Sequence, residues 1–556
     1  MLVFEKTCFL TPVCEILDKK IKTLSKRLWS IKKSGRRIMR IIDTDNNFDM
    51  VVIGGGVTGA GVFHEAVNLG LKTILLEAKD FAWGTSSRSS KMVHGGLRYL
   101  KQGKFLLTRS AVRERERLLK TYPGLVNPLN FLMPIYDDYG PKKSSMRIGL
   151  SIYSFMARQR QHQSFTRDQT LKFIPQIRND NLVSSVGFKD AQVDDARLVL
   201  RLINDGCLAG GTALNYTKVI GIERDNKGNV AAINAHDTIT GHKAELKTKT
   251  VINATGVWAE QLYPSPVKGY HLRPLRGSHL IFPEDILPLE RVISFAHPED
   301  LRPVFFFPWN GCNILGTTDV DHENNLDQEP FVTDEEASYL ISGLQFILPD
   351  LDISLKDCIS SIAGIRPVLS KKKKKASKES REHVVWEDKG LVTVTGGKLT
   401  TFRLLALDAL DAAKKYLPQH LKIQTKIAIQ KPEMNDSFLD LPEVLKQRLY
   451  GRYGHMAKEI LKNNDKERFT HIADTSSLWI ELCHAAQHEN IHNLSDLMLR
   501  RVRIGLFLPH GGKAYLDKIE KICKPFLSWD KERWASEKNT YMDLWQKFYS
   551  PPRVKE

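Results

Sequence analysis

No run of about 18 apolar residues occurs in the 556-residue chain, so no segment is suited to cross a bilayer as a helix. No Cys-x-x-Cys pair occurs either. The seven cysteines (Cys8, Cys14, Cys207, Cys312, Cys358, Cys483, Cys523) are scattered and odd in number. That fits reduced thiols in a cytosol-like compartment and excludes a disulfide scaffold; no metal site is expected. Compositional extremes are missing too: 42% hydrophobic and 26% charged residues exclude wholesale disorder and collagen. At about 150 residues per domain, the length allows three to four domains with ample core.

Acid is absent from one stretch. Between Lys19 and Arg40 lie ten basic residues and no Asp or Glu, and five more lysines form the run Lys371–Lys375. These fifteen supply most of the formal net charge of +18, so the rest of the chain is near neutral. A nucleic-acid face would spread Lys and Arg over a structured surface with stacking aromatics, so nucleic acid is not an expected partner. In the leader, Leu17, Ile21, Leu24, Leu28 and Ile31 form one helical apolar stripe among lysines. A basic amphipathic helix can lie on an anionic membrane. Residues 1–47 read equally as a poorly ordered leader, or as an extension before a start at Met39 or Met50. A secretory signal lacks its apolar core here, and Glu5, Glu15 and Asp18 disfavour a mitochondrial presequence.

Phe48 to Ile53 reads as a short strand, Gly54-Gly55-Gly56-Val57-Thr58-Gly59 as a tight turn, and Ala60 to Leu69 as a helix ended by Gly70. Lys72 to Leu76 form a second strand closed by Glu77. This is a dinucleotide fingerprint in its required context. Gly54 permits the turn, Gly56 lets backbone N–H groups approach a pyrophosphate at the helix N-terminus, and Gly59 lets helix and strand pack. Glu77 would accept hydrogen bonds from a ribose. Downstream, Gly84 to Lys91 is rich in hydroxyls, and His94-Gly95-Gly96-Leu97 follows. Such a series suits a backbone winding past phosphates, or simply a surface loop. Two further apolar strands run into Ala254-Thr255-Gly256 and Gly396-Gly397-Lys398, and a helix starts near Phe402.

The ordered set GGGVTGAG, GTSSRSSKMVHGGLRYL, VDDARL, NATGVWA, GSH, GTTDV, GIRPV, SREH and GGKLTTFR resembles the FAD-dependent, quinone-linked glycerol-3-phosphate dehydrogenase family. The likeness covers roughly residues 48 to 415 and continues more faintly to Asp496–Arg501. Residues 1–47 and the Lys371–Lys375 run fall outside the pattern, and the tandem acidic calcium loops of animal mitochondrial members are missing. The resemblance implies a glutathione-reductase-like FAD domain over 48–424. Into it a mainly antiparallel substrate sheet would be inserted (roughly 130–185 and 270–360), with a helical C-terminal domain over 425–556. Implied FAD contacts are Gly54, Gly55, Gly56, Val57, Thr58, Gly59 and Glu77, then Thr85, Ser86, Ser87 and Ser90. Gly95, Gly96, Leu97, Val219, Thr255, Gly256, Gly397, Lys398, Leu399 and Thr400 complete that set.

The implied reaction oxidises sn-glycerol 3-phosphate to dihydroxyacetone phosphate, with hydride passing to FAD and electrons to a membrane quinone. Family motifs place Arg98, Tyr99, His279, Arg302, Arg366, Arg381 and Lys398 at the substrate, where forked guanidinium groups suit a phosphate. His279 is the first choice of base and His94 the second, with Arg366 able to hold a relaying water. The implied location is peripheral, on the cytoplasmic face of a bacterial inner membrane, with the mitochondrial inner membrane as alternative; a homodimer is compatible with it. Competing readings are a soluble oxidase using oxygen, and a non-catalytic flavoprotein binding nucleic acid through the two basic tracts.

Overall fold

The computed structural model describes residues 40–97, 100, 103–157, 162–263, 269–370, 383–418, 441–462 and 465–552. The leader stripe, the Lys371–Lys375 run and the expected boundary near Pro432 lie outside them.

Met50–Ile53 is a strand with all four side chains buried. A strand apolar on both faces has to be covered on both. It lies parallel between Thr73–Leu76 and Val251–Asn253, with Val52 opposite Leu75 and Ile252. The six-stranded order is His383–Asp388, Leu391–Gly396, Val251–Asn253, Met50–Ile53, Thr73–Leu76, Thr212–Leu214; the first pair is antiparallel and the rest parallel. Helices Val57–Asn68, Asp195–Leu208 and Phe402–Ala413 cover one face, where Phe63, Leu198 and Phe402 share a core with Val52 and Ile252. An antiparallel meander, Thr217–Arg224, Val230–Asp237 and Lys243–Lys247, covers the other through Val219, Ile233 and Leu246. Residues 40–47, grouped with the leader by pattern, pack onto this meander. Asn47 bridges Lys247, Ile41 is buried, and Arg40 pairs with the buried Asp237.

The second sheet is larger and mainly antiparallel. Its order is Val320–Asp321, His271–Pro283, Cys312–Gly316, Pro303–Trp309, Val292–Ala296, Val126–Tyr136, Leu182–Val193, Met92–Val93. Ser360–Ser370 adds to His271–Pro283, and His162–Thr166 to Leu182–Val193. Apart from the edge strand Met92–Val93, its strands run over 126–193 and 271–370. Helix Asp334–Ile347 covers one face; a capping box between Thr333 and Glu336 starts it.

Beyond Glu443 the chain is helical, with Glu443–Tyr453, Trp479–His488, Leu516–Cys523 and Lys531–Phe548 the longer elements. Leu482, Leu497, Phe507 and Trp534 form one core with Phe307, Trp309 and Ile314 of the larger sheet. The expected α/β domain, inserted sheet and helical C-terminal region are thus all present. No helix among the described residues is long and apolar enough to cross a membrane.

Buried ion pairs tie the helical region to the rest. Arg500 and Arg501 both reach Asp80; Arg503 reaches Asp194 and Asp195; Arg452 reaches Asp194 and Glu481; Arg197 reaches Glu489. Burial alone would raise the Asp80 carboxyl; Arg501 and Arg500 overcome it and hold the group well below the usual range. Glu481 and Glu489 are likewise pulled down to about 2, against burial, by Arg448 and Arg452 and by Arg197.

Removing one partner of such a pair leaves an uncompensated buried charge, which costs about 3–5 kcal/mol. Asp80→Asn should therefore destabilise the chain by that order in urea denaturation; an unchanged midpoint would show that the pair is dispensable. Two glutamates with depressed folded-state pKa bind fewer protons folded than unfolded. Their contribution is complete above the ordinary glutamate value of about 4.3 and is lost as the pH falls toward 2. The urea midpoint should drop steadily across that window.

Candidate active site

A single cleft of about 2300 Å³ runs between the two sheets. Its nucleotide side grows out of the parallel sheet. Gly54 sits at φ +108°, and a Cβ there would lie 2.6 Å from the Ala254 carbonyl oxygen, so the turn needs glycine twice over. Gly56 takes the N-cap with extended backbone, and the helix begins at Val57, three residues before the expected start. The helix end therefore presents N–H groups and partial positive charge to the cleft. Val57 donates its N–H to Ser86 Oγ at 2.9 Å, which ties the serine-rich segment to the helix end.

Glu77 closes the second strand. Its carboxylate accepts the Gly55 N–H at 2.6 Å and the Lys79 N–H at 2.8 Å. Burial raises its pKa, and these two backbone donors oppose the shift. Each oxygen keeps a lone pair for a further donor such as a ribose hydroxyl. Thr58, Thr85, Ser86, Ser90, Gly96, Leu97, Val219, Thr255 and Gly256 line the cleft. So do Gly397, Lys398, Leu399 and Thr400, whose turn is fixed to the opposite wall. Thr400 Oγ1 accepts the His94 N–H at 3.2 Å and lies 3.3 Å from its carbonyl oxygen.

Four expected cofactor positions do not face the cleft. Gly55 packs on Glu77 and Phe81, Gly59 lies against the Gly54 carbonyl, and Gly95 donates its N–H to the buried Tyr153 hydroxyl at 2.8 Å. Ser87 is turned into the protein, where its carbonyl accepts from Lys91 Nζ at 2.7 Å and Arg503 Nη2 at 2.6 Å. These residues, Ser87 among them, stand behind the wall.

The other side of the cleft comes from the larger sheet. Arg302 and Arg366 both line it. Arg366 donates to Asp319 Oδ1 at 3.0 Å and to Thr317 Oγ1 at 2.9 Å, while Arg302 Nη2 lies 3.5 Å from Asp319 Oδ2. Asp319 thus holds two guanidinium groups side by side. A Cβ at Gly277 would meet the Arg366 guanidinium at 2.1 Å, and one at Gly316 would meet the His279 ring at 2.2 Å. The glycines of GSH and GTTDV are therefore the spaces those two side chains occupy. Sequence reasoning quoted both motifs but did not single out Gly277, Gly316, Thr317 or Asp319.

His94 lines the cleft, whereas His279 does not. His279 is 1% exposed and sits one residue behind the wall, with Nε2 2.9 Å from Ser90 Oγ. Burial, then Arg366 and Lys91, holds its pKa well below the ordinary histidine value. The ring is neutral at physiological pH and reaches the cleft through the Ser90 hydroxyl. Arg98, Tyr99 and Arg381 lie outside the described residues. Among the described residues, no group of three His, Cys, Asp or Glu is placed to hold a metal.

Residues 49–403 match the model of the FAD dependent oxidoreductase family, and residues 409–534 that of the C-terminal domain of alpha-glycerophosphate oxidase. An aerobic glycerol-3-phosphate dehydrogenase of Staphylococcus saprophyticus is 30% identical over 543 residues, covering 92% of this chain and 97% of that one. The chain belongs to the FAD-dependent glycerol-3-phosphate dehydrogenase family. Glycerol-3-phosphate dehydrogenase 2 of Mycobacterium bovis is 32% identical over 517 residues, covering 89% of this chain and 87% of that one. The glycerol-3-phosphate dehydrogenase of Bacillus halodurans, solved in complex with FAD, has a TM-score of 0.71 at 25% identity, covering 92% and 97%.

The family's cofactor fits the residues present. The glycine turn leaves room at a helix N-terminus for a pyrophosphate, Glu77 awaits a ribose, and the Gly396-Gly397 turn faces the same cleft. A side chain at Gly56 would project beside Ser86 Oγ, 3.2 Å from its Cβ, into that room. Gly56→Val should yield folded protein without the flavin absorbance band; full flavin occupancy would show that the turn is not the pyrophosphate site.

Proposed function

We propose that the chain oxidises the C2 alcohol of sn-glycerol 3-phosphate to dihydroxyacetone phosphate and passes the electrons to a membrane quinone. The observation that carries this reading is the Arg302–Asp319–Arg366 cluster inside the cleft. Two forked cations held by one carboxylate suit a dianion, which can displace Asp319 from part of its contacts. Lys398 adds a third cation to the cleft, and family motifs add Arg98, Tyr99 and Arg381. FAD supplies the acceptor for the hydride leaving C2. The hydroxyl proton goes through the Ser90 hydroxyl, which faces the cleft, to His279 Nε2 behind it. Arg366, which lines the same cleft and acts on His279, favours developing negative charge on the C2 oxygen. His94 remains the second candidate.

The acceptor half of the reading rests on the cleft mouth. Helices Phe105–Thr121 and Lys143–Ala157 carry Leu106, Ile148 and Phe155 at 78%, 64% and 85% exposure, with Lys142 and Lys143 exposed beside them. Phe105, Met146, Ile148 and Ile152 also line the cleft. An apolar mouth with a cationic rim suits a peripheral seat on an anionic membrane, on the cytoplasmic face of a bacterial inner membrane, and entry of an apolar quinone from it. A soluble oxidase using oxygen is the second reading, favoured by the match of residues 409–534 to an oxidase domain.

Anaerobic addition of glycerol 3-phosphate should bleach the flavin band, and a short-chain quinone should restore it faster than oxygen does. Rapid peroxide formation with no quinone turnover would select the oxidase. Arg302→Ala and Arg366→Ala should each lower kcat/KM by about 2–4 kcal/mol, roughly 30- to 1000-fold, with flavin content unchanged. Near-normal kinetics in both would remove these residues from the site. In vesicle sedimentation, Leu106→Glu with Phe155→Glu should weaken binding to anionic vesicles more than deletion of residues 1–38 does, and salt should weaken the share due to the leader. Equal sedimentation of all forms at both salts would exclude both surfaces.

A further inference from the structure

We infer that the C-terminal helical region belongs to the catalytic apparatus: Arg503, acting through Asp195, positions the Ser89-Ser90-Lys91 segment and with it the contact between Ser90 and His279. The inference rests on the proposed function for the role of His279 alone.

Asp195 is the second acid of Val-Asp-Asp-Ala-Arg-Leu, and no step proposed above uses it. It is fully buried behind the cleft wall, at the first turn of helix Asp195–Leu208. Every contact on its carboxylate leads to the wall, to its own helix or to the C-terminal region. Oδ2 accepts the Ser89 N–H at 2.9 Å and the Ser89 hydroxyl at 2.7 Å. Lys91 Nζ donates to Oδ1 and Oδ2 at 2.9 and 2.8 Å. Oδ1 also accepts the Ala196 N–H at 2.9 Å and Arg503 Nη1 at 2.6 Å. Ser90 lies between two residues fastened to one carboxylate, and its hydroxyl faces His279 Nε2 at 2.9 Å.

The backbone bears this out. Lys91 and Arg503 both have positive φ, at +56° and +65°. Non-glycine residues keep that conformation at a cost of order 1–3 kcal/mol, and only where their surroundings over-determine it. Both send their cations to Asp195 and to the Ser87 carbonyl. A salt bridge serving stability alone needs neither the shared carbonyl nor the pair of ties on each side of Ser90. Arg503 therefore links a residue more than 400 positions along the chain to the hydroxyl that meets the proposed base. Asp195 and Arg503 are fully buried and do not line the cleft; they are positioning residues.

The test uses FAD-loaded full-length protein with isotope-labelled histidine. The His279 ring resonance is assigned by its loss in His279→Asn. Ser90→Ala should shift it, and Asp195→Asn and Arg503→Lys should shift it in the same direction at wild-type FAD content. With glycerol 3-phosphate and a dye acceptor, Asp195→Asn should lower kcat roughly tenfold with KM changed less than about twofold. Added to Ser90→Ala, it should lower kcat less than about twofold further, because the two act in one chain. An unmoved His279 resonance in folded Asp195→Asn, or a full further loss in the Ser90→Ala background, overturns the inference. Should Asp195→Asn not fold, Ser89→Ala, which removes one hydroxyl from Asp195, carries the same readouts. A wild-type protein that glycerol 3-phosphate does not bleach sinks the proposed function and leaves the resonance to decide.

Discussion

The structure depends on buried guanidinium–carboxylate contacts made across long sequence distances. Taking two charges out of water costs several kcal/mol per ion, and attraction repays it only where the geometry is excellent and the remaining donors and lone pairs are met. At Asp80 that condition holds, because Arg501 spans both oxygens and Arg500 adds a third donor. Hydrophobic contact could hold the helical region against the larger sheet in several nearby settings. The arginines admit one, since a small shift would strand an ion. Burial through Trp309, Phe507 and Leu482 supplies the adhesion, and the ion pairs supply the register.

A second consequence falls on the cleft. Its substrate side gathers Arg302, Arg366 and Lys398, and without a counter-charge these cations would repel one another in a poorly solvated space. Asp319 neutralises part of that charge and orients two of the guanidiniums before any ligand arrives. Pre-organisation of this kind lowers the ordering cost of binding, while the competing carboxylate favours a strong anion over a weak one. The same field explains His279. Burial, and then Arg366 and Lys91, disfavour its charged form, so the imidazole stays neutral.

What could be read from the sequence is what local chemistry determines. The run from Phe48 to Glu77 contains its own strand, turn, helix and acid, and each falls within a few residues of its expected place. The exception is instructive: the helix starts at Val57 because an extended Gly56 caps it, a detail of one dihedral angle that periodicity does not carry. The motif order identified the family and, with it, the glycine turns and hydroxyl residues of the cleft's nucleotide side. Illegible were properties set by distant partners. Ser87 looks like its neighbours Ser86 and Ser90, yet Arg503 and Lys91 claim its carbonyl and turn it inward. Gly277 and Gly316 act by the volume they leave to Arg366 and His279, which no single-sequence signal reveals. Residues 40–47 follow a basic leader in pattern but are claimed by Asp237 and Lys247.

These distant claims converge on one short segment. Residues 84 to 94 leave the parallel sheet, pass the nucleotide turn through Ser86, and end against the Gly397–Thr400 turn through His94. Between those points the segment has almost no regular hydrogen bonding of its own beyond a short turn at Thr85–Ser87 and the two-residue strand Met92–Val93. Backbone groups without a ladder must find partners elsewhere when buried. Here they find Asp195, Arg503 and Thr400, all on other elements. A segment so held can be irregular enough to follow a ligand and still be rigid, which a helix or strand could not combine at this place. The helical region therefore does more than cover the sheet. Through Arg503 it supplies one of the fixed points, beside Asp195, from which an irregular wall can be hung.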